Sequence, residues 1–95
     1  MTQSLQPVGV SAAQIETVLR SALQPLELEV GDDSHLHTGH AGAREGKHFH
    51  VRLVSAQFQG LTRVARHRLV YSSLQLLIPQ GIHALAIDAR APGEP

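Results

Sequence analysis

The chain has 95 residues, of which 42% are hydrophobic, with eight Lys and Arg balancing eight Asp and Glu and no cysteine at all. That length makes one domain, whose core must be built from Leu, Val, Ile and Ala, because Phe49, Phe58 and Tyr71 are its only aromatics. Neutral net charge excludes a global field that would steer the protein onto nucleic acid or an anionic membrane, and the missing thiols exclude a disulfide framework or a thiolate metal site supplied by this chain alone.

Residues 1 to 10, with Pro7 and Gly9, are expected to form a flexible leader. No stretch approaches the roughly 20 apolar residues of a membrane span, so the expectation is a soluble, cytoplasmic protein. Structure should begin at Ser11, where "SAAQ" is a Ser-x-x-Gln capping box. Ile15, Val18, Leu19 and Ala22 then share one helical face, and Pro25 ends the helix. "PLELEVGDD" alternates, with Leu26, Leu28 and Val30 on one side of a strand that Gly31, Asp32 and Asp33 close. In the second strand, "HFHVRLV", Phe49, Val51 and Leu53 share one face and His48, His50 and Arg52 the other. The connection between these strands, about fifteen residues, is longer than a hairpin needs.

The next segment, "FQGLTRVARHRLVYSSLQLLIPQG", reads as helix after a short turn near Gly60. Its stripe is Leu61, Ala65, Leu69, Ser72 and Leu76, widened by Val70, Leu74 and Leu77, and Pro79 and Gly81 should end it. "IHALAIDA" is apolar on both faces, the pattern of a strand in the middle of a sheet or covered by helices. Strands 1 and 2 can pair antiparallel, and the helical crossover lets strand 3 run parallel to a neighbour. The tail, residues 92 to 95, is expected to be flexible.

Asp32 to His50 holds five of the seven histidines. His48 and His50, two apart on a strand, point the same way and could chelate an adventitious metal, although a solvated face is the simpler reading. Arg63, Arg66, His67 and Arg68 form the best candidate for contact with nucleic acid or a partner. No nucleophile elbow or acid and base pair is present, so the expectation is that this is not an enzyme.

"LEVGDDSHLH", "HFHVRLVSAQFQG", "RHRLVY" and "HALAI", in this order and spacing, resemble the BolA family over residues 11 to 91. The resemblance implies an α+β fold, the single αββααβ class II KH-like domain with a three-stranded mixed sheet packed against helices. It further implies a stress-response or iron-homeostasis protein that partners a monothiol glutaredoxin with glutathione and shares a [2Fe-2S] cluster. The family uses the histidine that opens the last strand, here His83, and a Cys or His in the loop between strands 1 and 2. By the Ser-x-x-His spacing from Ser34 the loop ligand is His37, with His35 and His40 as alternatives. A cluster needs four ligands and imidazoles can supply two of them, so a chain without thiols would have to share it. The alternative is a KH-like regulator of transcription binding double-stranded DNA, although the turn reads "GLTR" where a KH domain has G-x-x-G. The isolated chain is expected to be a monomer without cofactor.

Overall fold

The computed structural model describes residues 9–34 and 47–95. In chain order it contains α1 (Ala12–Leu23), β1 (Glu27–Asp32), β2 (Lys47–Val54), a 3-10 turn (Ala56–Phe58), α2 (Arg63–Ser73), α3 (Ile78–Gly81) and β3 (Ile82–Arg90). The strands form one sheet in the order β1-β2-β3, antiparallel between β1 and β2 and parallel between β2 and β3. The α+β architecture with a three-stranded mixed sheet therefore stands.

The capping box forms as the residues require. Ser11 Oγ accepts from the Gln14 amide while Gln14 Oε1 accepts from the Ser11 amide, which satisfies two amides that the first turn leaves without helical partners. At the other end Gln24 turns left-handed, with φ 47°, and Pro25 follows. The buried stripe of α1 is Ile15, Leu19 and Leu23. β1 does not stop at Gly31 but continues through it to Asp32, which pairs with Phe49.

The core lies between one face of the sheet and the helices. Phe49, Val51 and Leu53 of β2 meet Ile15, Leu19, Leu23, Val70 and Leu74, with Phe58 of the 3-10 turn fully buried among them. Ser55 is buried too, donating to the Leu23 carbonyl at 2.6 Å and accepting from the Gln57 amide at 3.1 Å, so it ties the end of α1 to the chain leaving β2.

Three expectations are corrected. The long helix is two helices: α2 ends at Ser73, and Pro79 lies in the first turn of α3, where its missing N–H costs nothing, rather than ending a helix. The inward stripe is Val70 and Leu74, with Leu61, Leu69 and Leu77 packed against the core beside them as expected, while Ser72 and Leu76 face solvent, Leu76 at 76% exposure; Ser72, two residues from Val70, falls on the opposite side of the helix. β3 is an edge strand and β2 the central one. Ala84 and Ala86 are exposed, on the sheet face away from the core that also carries Glu29, His50 and Arg52. Small side chains there satisfy the apolar pattern without needing a covering layer.

Candidate functional site

The open face of the sheet carries His48, His50 and His83, and a β-bulge decides which of them meet. From Ala84 to Arg90 the side chains of β3 alternate regularly, with Leu85, Ile87 and Ala89 packed on the core and Ala84, Ala86, Asp88 and Arg90 on the open face. Continued backwards, that alternation would turn His83 into the core. Between Lys47 and His48 the register shifts, however: Lys47 is opposite Ile82 whereas His48 is opposite Ala84, which leaves His83 as the extra residue. Ile82 is thereby buried and His83 exposed. The His83 ring comes beside that of His48, with centroids 5.1 Å apart and planes inclined by 45°.

A close backbone approach fixes where β3 starts. A side chain on Gly81 would press on the Val10 amide at 3.1 Å and on Gly9 Cα at 3.2 Å, so only glycine lets residues 9 and 10 pack there.

The loop between β1 and β2 is rooted at the same end of the sheet. The Asp33 amide donates to the His48 carbonyl at 2.7 Å and the His48 amide to Ser34 Oγ at 3.1 Å, while the Ser34 amide bonds Asp32 Oδ1 at 2.8 Å. His35, His37 and His40 lie outside the described residues.

His50 is committed elsewhere. Its Nδ1 lies 2.9 Å from Asp33 Oδ2 and its Nε2 3.1 Å from Glu29 Oε2, so a protonated ring donates to both carboxylates. The Asp33 hydrogen bond, then that to Glu29, raises the His50 pKa above its ordinary value against a smaller opposing effect of burial. Gly31 makes room for this bridge: a Cβ there would fall 2.1 Å from His50 Cε1. Glu29 and Gly31 of β1 and Asp33 just beyond it face the same ring, and the imidazole occupies the place where a side chain on Gly31 would stand.

On α2, Arg63 and Arg68 are exposed and His67 is half-buried. Arg66 is only 13% exposed and faces inward along the molecule. It donates to the carbonyls of Leu61 (3.0 Å) and Ala89 (3.2 Å) and, through two nitrogens, to both Glu94 oxygens at 2.6 and 2.8 Å. That pair holds the Glu94 carboxyl at about 2, well below its usual range, with help from the Ala91 amide. Glu94, from the segment expected to be flexible, is in this way tied to the start of α2.

Comparison with known proteins places this geometry. The BolA family profile, described as BolA-like protein, matches residues 19–94. The chain belongs to the BolA family. It is 40% identical over 87 residues to human BolA-like protein 1, covering 92% of this chain and 62% of that one. To Protein BOLA1, chloroplastic, from Arabidopsis thaliana it is also 40% identical over 87 residues, 87% of this chain and 54% of the other. The chain thus spans little more than half the length of these relatives. Among solved structures, the BolA domain of SufE1 from Arabidopsis thaliana superposes with a TM-score of 0.79 at 45% identity, covering 94% of this chain and all of that one.

Within this BolA domain, then, the structure pairs the histidines differently from the strand spacing. His48 and His50 do lie on one face, but His48 adjoins His83 and His50 bridges two acids. The signal that joins His48 to His83 was the parallel register of two strands that each begin near a histidine; the bulge that brings the rings to one side leaves no mark in the residue pattern. Among the described residues no group of three or more His, Asp or Glu is placed to hold a metal, and no helix is long and apolar enough to cross a membrane.

Proposed function

We propose that this BolA-family chain is a non-catalytic, cytoplasmic adaptor that pairs with a monothiol glutaredoxin and its glutathione and co-ligates a [2Fe-2S] cluster through His83 and His37, in iron–sulfur homeostasis or stress response. The observation that carries the reading is the bulge, which gives up regular strand alternation to turn an imidazole outward beside the root of a histidine-rich loop. The donor set fits. With no cysteine in the chain, imidazole nitrogen is the donor it can offer iron, and two imidazoles on one iron with thiolates on the other is an established arrangement for such clusters.

The test is visible circular dichroism while the apo chain is titrated into cluster-loaded monothiol glutaredoxin. A new spectrum should form with the native chain and be lost or altered with His83→Ala and with His37→Ala. An unchanged spectrum in both variants overturns the ligand assignment.

The second reading, a DNA-binding regulator, has support in the exposed Arg63 and Arg68 and in His67 between them. It is the weaker of the two, because the donors of Arg66 are engaged within the molecule. Binding through this helix would weaken steeply with salt, and Arg63→Ala with Arg68→Ala would reduce it; the same affinity in both variants removes it.

A further inference from the structure

We propose that His48 and His83 form a chelating site for one imidazole-preferring divalent cation, of which Zn²⁺ is the representative, in the isolated chain. The inference does not depend on a glutaredoxin partner, although it shares His83 with the reading above.

The spacing carries the first part of the argument. A metal ion sits about 2.0–2.1 Å from a coordinating imidazole nitrogen, and that nitrogen roughly 1.1 Å from its ring centre, so each centroid lies about 3.2 Å from the ion. Two such rings at a tetrahedral angle have centroids about 5.2 Å apart. The rings of His48 and His83 are 5.1 Å apart. The observed ring spacing is therefore the one that two imidazoles sharing an ion require.

The second part is that both rings are carried by fixed backbone. His48 is held by its amide bond to Ser34 Oγ and its carbonyl bond from Asp33, and His83 by the bulge beside it. A pair on rigid strands loses less conformational entropy on binding than two histidines in a loop. His50, two residues along the strand from His48, is drawn to the other side by its bonds to Glu29 and Asp33. The imidazole beside His48 is that of His83.

Donor chemistry selects the ion. Ca²⁺ and Mg²⁺ require several oxygen ligands, whereas imidazole suits Zn²⁺, Ni²⁺ and Cu²⁺. Ala84, opposite His48 in the register, is small and exposed, so water can complete the coordination sphere. An ion bound here would occupy His83 and so compete with any other ligand that uses it.

The experiment is a titration of the full chain with Zn²⁺ alone at neutral pH, read by calorimetry and by the ring ¹⁵N and ¹H resonances of the histidines. One Zn²⁺ per chain is expected, shifting the His48 and His83 rings together. His48→Ala and His83→Ala should each weaken binding at least about tenfold, the loss of one of two protein ligands, whereas the variant with His35, His37 and His40 all replaced by Ala should bind within about threefold of the native chain. The ring resonances need no substitution, so they decide the matter even if a variant folds poorly. The proposal is overturned if Zn²⁺ perturbs only the loop histidines, if affinity falls with His50→Ala but not with His83→Ala, or if binding never saturates at a stoichiometric ratio. Because glutaredoxin is absent throughout, a negative result bears on this site and leaves the cluster reading to its own titration.

Discussion

Replacing Gly31 by alanine tests whether the imidazole bridge at the loop root is real. The new Cβ would stand 2.1 Å from His50 Cε1, and the contact would have to open towards 3.4 Å before it became an ordinary one. His50 cannot retreat that far and keep both its 2.9 Å bond to Asp33 and its 3.1 Å bond to Glu29 within hydrogen-bonding range. The ring is 35% exposed and Glu29 59%, so each ion pair deserves a surface value of about 0.2–1 kcal/mol, or at most about 2 kcal/mol together. Against this, alanine restricts the unfolded chain and returns about 0.4–1 kcal/mol. Because the His50 pKa is raised on folding, the bridge contributes fully below the unfolded value near 6.5 and is lost as pH rises through the folded pKa. Urea unfolding should therefore find Gly31→Ala less stable than the native chain by about 1 kcal/mol near pH 5.5 and equal or slightly more stable near pH 9. A histidine NMR titration should show the His50 midpoint falling in the variant. The same stability difference at both pH values, with an unmoved midpoint, would refute the reasoning.

Other outcomes follow from the same structure. Ser55→Ala leaves the buried Leu23 carbonyl without its hydroxyl donor and should cost about 1–3 kcal/mol, seen as a lower urea midpoint at unchanged slope; a shift no larger than that of an exposed Ser72→Ala control would contradict it. In Arg66→Ala the Glu94 carboxyl should titrate well above about 2, though still below the ordinary carboxylate range because the Ala91 amide continues to donate to it, as followed by carboxyl ¹³C NMR. A carboxyl whose pKa is depressed on folding adds stability above its unfolded pKa and loses it as pH falls towards about 2, so the variant should lose most of its acid-side pH dependence from this pair. Imidazole ligation requires a neutral ring, so the mixed cluster spectrum should fade on acidification; a spectrum that acid leaves unchanged points to thiolates alone.

Much of the fold was legible because each element announces itself locally. The Ser11 and Gln14 box, the alternation of Leu28 and Val30, and that of Phe49, Val51 and Leu53 each specify an element and its buried side. The family motifs carried the rest of the topology. What could not be read depends on contacts distant in sequence. Nothing near Arg66 reveals that Glu94 receives it, and an arginine among arginines looks like a surface patch. His50 resembles its neighbour His48 until the antiparallel register sets it opposite Gly31. Pro79 reads as a helix end because proline breaks helix interiors, yet it serves equally well in a first turn. The motif singles out His83 but not the ring that lies beside it, His48, since a bulge is a property of two strands together.

The bulge also sets how the chain tolerates changes of length. Loops accept insertions and deletions readily, but in β3 the spacing between Ile82 and Ala84 works as a phase shifter. Deleting His83, the one residue there, would restore simple alternation through the strand's start, with Ile82 still buried, Ala84 still on the open face and every residue from Leu85 onward in place. A deletion of one codon would thus remove the bulge and its imidazole together while leaving the core as it is.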